Sequence, residues 1–304
     1  MSETRLSVLR VATRGSALAL KQAELVVVAL RALRPDLAVE IVPVRTVGDQ
    51  NQTAPVTQLG DGAFVRGVEA ALLDGRADVA VHSAKDIPSA ETPGLVLAAF
   101  PPRGDPRDAL VSRDGRPLAE LPRGARVGTG SPRRQALLRA LRPDLEAVPA
   151  HGNVDTRLRR LREGVYDALI LAAAGLERLG LSGVVTEYLD PAVWVPAAGQ
   201  GALAVQCRAD GPERALLAAL DHPSTRAAVA AERAVLRRLS SGCRVPVGVH
   251  GRVDGDVLIL HGMLLAPDGS RSVTAERTGA PADAEALGRA LAEELLRKGA
   301  DLVG

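Results

Sequence analysis

Aromatic side chains make up only 2% of this 304-residue chain: one tryptophan, two tyrosines and two phenylalanines. A protein that grips single-stranded nucleic acid stacks bases on aromatic platforms and needs more of them. Lysine is nearly missing too, since Lys21, Lys85 and Lys298 are the only three among 38 basic residues. With a net charge of +2 and no basic stripe, no nucleic-acid partner is expected. Cys207 and Cys243 are too few for a disulfide framework and are expected to remain thiols in a reducing compartment. No apolar run approaches the roughly 20 residues that span a bilayer. Met1-Ser2-Glu3-Thr4-Arg5 has no basic-then-apolar signal pattern. The expectation is a cytoplasmic protein without a membrane partner.

What is present is 46% apolar residues, enough to build the cores of two or three domains. Arginine, the side chain that grips carboxylate and phosphate bidentately, carries nearly all the positive charge, so its positions carry information. In the first hundred residues, Leu6 to Ala12 reads as a buried strand and Ala17 to Leu33 as an amphipathic helix. Thr13-Arg14-Gly15-Ser16 between them feeds a helix N-terminus, where free N–H groups and the dipole favour an anion. Val39 to Val44 reads as a second strand, Thr46 to Gly62 as a long polar loop or lid, and Phe64 to Leu73 as a helix. Asp78 to Pro88 is a short strand running into a loop that carries Lys85 and Asp86. Ligands of open α/β sheets bind beyond such strand ends. An aspartate there can move a proton and the lysine can hold an anion, although a solvated Lys-Asp pair fits equally.

Residues 101–200 repeat the pattern. Ala125 to Val127 is a strand, and Ser131 suits an N-cap with Pro132 at the first helical position. Arg133 and Arg134 then occupy the first turn, the wrong end of the helix dipole for cations unless an anion faces them. Glu146 to Val148 leads into His151-Gly152-Asn153-Val154-Asp155-Thr156-Arg157 and a helix closed by Gly164. Tyr166 to Ala172 and Ala202 to Cys207 read as strands, with Cys207 a packing residue. Two α/β lobes facing one another would aim these arginines at one multiply anionic ligand.

Beyond residue 221, Ser224-Thr225 is expected to cap a helix to Leu239. Alternating strands follow around 245–253, 257–264 and 272–277, and Ala284 to Arg297 forms a last helix. Cys243 lies on the small-residue turn Ser240-Ser241-Gly242-Cys243-Arg244, just past a helix C-terminus that disfavours a thiolate. No base is marked beside it, which argues against a cysteine hydrolase. The stretch alone leaves open a gap-filling loop cysteine and a permanent attachment point.

Six stretches appear in one order across nearly the whole chain. They are Ala12-Thr13-Arg14-Gly15-Ser16, Val81 to Pro88, Gly128-Thr129-Gly130-Ser131-Pro132-Arg133-Arg134-Gln135, Gly152 to Leu158, Pro196 to Leu203, and Gly242-Cys243-Arg244-Val245-Pro246-Val247-Gly248. Together they resemble the porphobilinogen deaminase (hydroxymethylbilane synthase) family. The resemblance implies two periplasmic-binding-protein-like α/β lobes, residues 1–100 plus 201–220 and residues 101–200, and an α+β domain, residues 221–304, with a three-stranded antiparallel sheet. It implies one dipyrromethane cofactor joined by a thioether to Cys243, and porphobilinogen as the substrate of a monomeric transferase. Four units would be added head to tail, each losing ammonia, before water releases the chain. Asp86 would be the catalytic acid/base, stabilising the cationic azafulvene. Lys85, Asp86, Ser131, Arg133 and Arg134 would hold the cofactor, and Arg14, Ser16, Thr129, Arg157, Phe64 and His151 the substrate. No metal is implied. His151 departs from the family's usual arginine and is a shorter donor, so a carboxylate contact is weakened or remade by Arg159 or Arg160. Pro132 replaces a usual leucine, and Asp61 and Gly67 replace a more usual lysine and glutamate. The lobes and arginines alone would also suit a non-catalytic, two-lobed carboxylate-binding or sensing protein.

Overall fold

In the computed structural model, which describes residues 8–50, 62–240 and 246–302, the first apolar run forms β1 (Leu9–Arg14). The strand continues past the expected end at Ala12, so Arg14 closes a strand rather than sitting in a turn. Ser16 then caps α1 (Ala17–Leu33), its hydroxyl accepting from the Ala19 N–H at 3.3 Å. This helix buries Ala23, Val26, Val27 and Leu30 against the sheet. Each large apolar side chain so buried contributes roughly 1.5–3 kcal/mol. β2 (Val39–Val44), α2 (Val47–Gln50), α3 (Arg66–Leu73), β3 (Val79–Ser83) and β4 (Leu95–Ala99) follow. The short α2 occupies the start of the stretch read as loop, because Thr46 and Asp49 bond each other's backbone and side chain around one turn. The rest of that stretch, residues 51–61, lies outside the described residues.

The chain then crosses to a second sheet through β5 (Asp108–Ser112), β6 (Arg126–Gly128), α4 (Pro132–Leu141), β7 (Glu146–Val148), α5 (Val154–Arg162), β8 (Ala168–Ala172), α6 (Ala173–Arg178) and β9 (Glu187–Tyr188). It returns as β10 (Leu203–Arg208) and α7 (Arg214–Ala218). The two sheets share one plan. Their orders are β2-β1-β3-β10-β4 and β7-β6-β8-β5-β9, with three parallel strands followed by one antiparallel strand delivered by a crossing. The crossings themselves touch, Gly104 N–H donating to Gly201 O at 3.1 Å. Gly201 has φ +85°, and a Cβ there would stand 2.4 Å from the Gly104 oxygen, so only glycine lets the two strands meet.

A third layer follows: α8 (Pro223–Ser240), β11 (Val247–Asp254), β12 (Val257–Leu265), β13 (Ser272–Gly279) and α9 (Ala284–Lys298). The three strands pair antiparallel in sequence order, and α8 and α9 bury Ala231, Val235, Leu291 and Leu295 against Leu258, Leu260 and Leu264. The helix starts earlier than Ser224-Thr225 suggests. Pro223 takes the first position and His222 caps it, its Nδ1 accepting from the Thr225 N–H at 3.3 Å. On the other side, Met263 and Leu265 of β12 enter the core of the second lobe.

Glu232 of α8 joins all three parts. Fully buried, it accepts from Arg103 Nη1 at 2.7 Å, Gly251 N–H at 2.7 Å and Gly199 N–H at 2.6 Å. Arg103 lies on the outgoing crossing, Gly199 on the returning one and Gly251 on β11. A buried carboxylate is stable when charge and hydrogen bonds compensate it as here.

Cys207 is fully buried in β10. Burial, with help from the Glu213 carboxylate, pushes its thiol up to about 11. Iodoacetamide at pH 8 is therefore expected to leave Cys207 unmodified in the native protein and to alkylate it after unfolding. Peptide mass spectrometry reads this, and native labelling of Cys207 would contradict its placement.

Candidate active site

The C-terminal ends of the two sheets open onto one cleft of about 1220 Å³, where the walls bring together residues far apart in sequence. Arg14, Ser16, Phe64, Lys85 and Asp86 come from the first lobe, and Ser131, Arg133, Arg134, His151 and Arg157 from the second. Lys85 and Asp86 sit on a single 3-10 turn, Ala84–Asp86, that ends β3. The turn is held from behind: Ala84 N–H donates to Ala202 O at 3.0 Å, and the Gly199 backbone lies so close that a Cβ would be 2.9 Å from Lys85 N. Beneath it, Ala84 and Ile87 pack with Phe100, Ala202 and Val229. Asp86 is thus a half-exposed carboxylate on a rigid support.

The cations differ in how they are engaged. Arg14 pairs with Asp49 at 2.5 Å and lies over the Phe64 ring at 4.3 Å, so Phe64 stacks under its guanidinium. The Arg14 guanidinium, with Thr46, holds the Asp49 carboxyl below its usual range against the opposing effect of burial. Ser131 caps α4 by accepting from the Arg134 N–H at 3.4 Å. Arg157 turns its Nε to Gly152 O at 2.8 Å, and burial with the nearby Arg134 charge lowers its guanidinium to about 10. Among the described residues, neither Arg157 nor Lys85 meets a carboxylate within ion-pair distance.

The anion facing Arg133 and Arg134 is part of the protein. Both arginines are buried and both reach Asp108 at 2.6 Å, which explains two cations in the first turn of a helix. Sequence spacing could not name this partner, 25 residues away on a strand that had not been anticipated. The carboxyl is held far below its usual range by the two guanidiniums despite its burial. Arg133 also carries a buried Nε with no hydrogen-bond partner among the described residues.

The remaining expected residues are placed as follows. Thr129 is fully buried and absent from the cleft wall; its hydroxyl accepts from the Ser131 N–H at 3.2 Å and shapes the turn instead. Neither Arg159 nor Arg160 lines the cleft beside His151, since Arg159 points away to Glu163 at 3.9 Å. Arg178 does line it, with Nη2 on Gly201 O at 2.5 Å, and Arg66 lines it from the first lobe. Gly67 lies against the Arg45 carbonyl, 3.3 Å from where a Cβ would stand, and off the wall. Cys243 and Asp61 lie outside the described residues. Leu236, on the same helix that leads toward Cys243, lines the cleft.

Lys85 is exposed to the open cleft, yet the protein around its ammonium and the nearby Arg134 push it down to about 8. The sign follows directly. Its folded value lies below the ordinary lysine value, so its charge costs the fold stability below about 8, and that cost disappears as pH rises toward the ordinary value. Carboxylate binding runs the other way, because the cation is lost as pH passes about 8. KM for a carboxylate substrate is expected to rise above that pH, and Lys85→Met should flatten the rise while raising KM throughout. A KM independent of pH from 7 to 9 in the parent protein would contradict this.

Fold and site define a two-lobed α/β protein with a small α+β domain and a cleft between the lobes lined by arginines, Lys85 and Asp86. The chain belongs to the porphobilinogen deaminase family: residues 9–215 match its dipyrromethane cofactor binding domain and residues 226–297 its C-terminal domain. It is 54% identical over 293 residues to the porphobilinogen deaminase of Roseiflexus castenholzii, covering 96% of each chain. It is likewise 54% identical over 302 residues to that of Acidothermus cellulolyticus, covering 97% of this chain and 91% of the relative. Among solved structures, the aliphatic sulphonate binding protein SsuA of Escherichia coli is a loose likeness, with TM-score 0.41 and 18% identity over 79% of this chain and 72% of that one. Among the described residues no helix is long and apolar enough to cross a membrane.

Proposed function

We propose that the chain performs its family's reaction, joining four porphobilinogen molecules head to tail with loss of ammonia and releasing the linear tetrapyrrole by hydrolysis. One observation carries this reading: Asp86, a half-exposed carboxylate on a rigid turn, faces a cleft that Arg14, Lys85, Arg133, Arg134, Arg157 and Arg178 line, with Asp49, Glu69, Glu91 and Asp155 also on its wall. Each pyrrole brings an acetate and a propionate, so the growing chain is a polyanion that such walls retain.

The donor set fits a dipyrromethane held by a thioether to Cys243. The ammonium of Lys85, the guanidiniums of Arg133 and Arg134 and the Ser131 hydroxyl, all on the cleft wall, suit its carboxylates, and Asp86 is proposed to face its ring nitrogens. When bound, the group supplies the free pyrrole position to which each substrate is joined. Asp86 delivers a proton to the departing amine as the C–N bond breaks, steadies the cationic ring left behind and receives the proton the pyrrole later sheds. Arg14, on its Phe64 platform, Arg157 and His151 hold the incoming carboxylates, and Ser16 adds a hydroxyl at the start of α1.

The proposed units are residues 1–100 plus 201–220, 101–200 and 221–304, a division that the three separate sheets support. The chain is proposed to act as a monomer. The unpaired Cys207 suits a reducing cytoplasm. Incubation with porphobilinogen tests the reading: ammonia should appear in a ratio of four to each tetrapyrrole released. Substrate bound but returned unchanged would overturn it.

A further inference from the structure

We propose that Asp108 is a positioning residue of this cleft: one buried carboxylate fixes Arg133 and Arg134 and, through the amide of Gln200, sets the orientation and charge of Lys85. The inference rests on reading the cleft as a polycarboxylate site.

Asp108 opens β5 and is fully buried. Its Oδ2 accepts from Arg133 Nη2 at 2.6 Å and Trp194 Nε1 at 2.8 Å. Its Oδ1 accepts from Arg134 Nη2 at 2.6 Å, Arg134 Nε at 3.1 Å and Gln200 Nε2 at 2.7 Å. A carboxylate accepting from so many fixed donors has no freedom left, and each donor's remaining N–H groups are therefore aimed. Gln200 shows the consequence. Because its amide nitrogen is taken by Asp108 and by Pro106 O at 2.8 Å, its oxygen must point the other way, where Lys85 Nζ donates at 3.3 Å. Arg134 Nη2 approaches the same oxygen at 3.3 Å. A residue of the second lobe thus orients the ammonium beside Asp86 in the first.

Charge acts alongside geometry. Lys85 is faced by Asp86 on its own turn and by Arg133, Arg134 and Asp108 from the opposite lobe. Asp108 partly offsets the two guanidiniums that repel the ammonium. Without its negative charge, Lys85 gives up its proton more readily and carboxylate affinity falls at lower pH.

The test uses the primer-loaded protein and the scarcity of lysine. Reductive 13C-methylation labels only Lys21, Lys85 and Lys298 besides the N-terminus, so the Lys85 resonance can be titrated by NMR. In Asp108→Asn that titration should move to lower pH than in the parent. The alkaline limb of kcat/KM should move with it, and kcat/KM should drop by on the order of a hundredfold, the scale for groups displaced by about an ångström. A folded Asp108→Asn with an unmoved Lys85 titration and alkaline limb overturns the proposal and leaves Asp108 a purely stabilising ion. Should Asp108→Asn not fold, Gln200→Leu removes the link and leaves both arginines paired with Asp108; a lowered Lys85 titration supports the proposal and an unchanged one overturns it. Loss of the primer mass in the parent protein itself would signal failure of the functional reading, which the NMR titration does not depend on.

Discussion

Replacing Asp86 by asparagine is expected to lower turnover by about 10²–10⁴-fold, the contribution of a placed acid/base, while the two-pyrrole adduct stays on Cys243. The asparagine keeps the shape of the turn. Ala84 still donates to Ala202 O, and Gly199 still packs against the Lys85 amide. What it loses is the exchangeable proton. An amide cannot protonate the departing amine, nor does it carry the negative charge that steadies a cationic ring. Steady-state rates combined with the intact mass separate chemistry from assembly, and turnover within a few-fold of the parent would remove Asp86 from its role.

The second large effect is expected at Glu232. Glu232→Gln leaves Arg103 buried without its counter-charge and places an amide nitrogen against the Gly199 or Gly251 N–H, both of which donate to the carboxylate. Breaking a buried ion pair by removing one partner costs about 3–5 kcal/mol, a large share of a typical stability margin of about 5–15 kcal/mol. Urea unfolding should show a much lower midpoint, and turnover should fall as well, because Gly199 supports the Lys85–Asp86 turn. A midpoint close to that of the parent would show that the three parts do not depend on this junction.

Local chemistry made much of the architecture legible. Ser131 followed by Pro132 marks the start of α4 because capping and a preset φ act within four residues. Gly164, with φ +77°, closes α5 for a similarly local reason. The antiparallel meander of the third domain is announced by alternation and by turns at Gly255 and Gly269. Three strands escaped, the shortest of them β9 with two residues. β4 and β5 are five residues each and lie in stretches broken by Pro93, Gly94, Pro101, Pro102 and Pro106, and their partners are far along the chain.

The same split runs through the site. Lys85, Asp86, Arg133, Arg134 and Arg157 were found through their motifs. Asp108, Gln200 and Arg178 were not assigned, because what they do depends on partners supplied by the fold. Arg133 and Arg134 illustrate the limit. Their placement at the wrong end of a helix dipole signals an anion, but only the three-dimensional structure shows that the anion is Asp108. Thr129, expected at the substrate, lies buried with its hydroxyl accepting from the Ser131 N–H, a placement set by the turn. Asp49, on α2, was read as part of a polar loop and instead occupies Arg14.

The central claim is that this arginine-lined cleft retains a growing polyanion tethered at Cys243. Intact-protein mass spectrometry of freshly purified protein, followed by peptide mapping, tests it most directly. The account predicts a covalent two-pyrrole adduct confined to the peptide that carries Cys243, with further increments of one pyrrole unit on brief exposure to porphobilinogen. An unmodified mass for every molecule, with Cys243 free and binding only reversible, would contradict it.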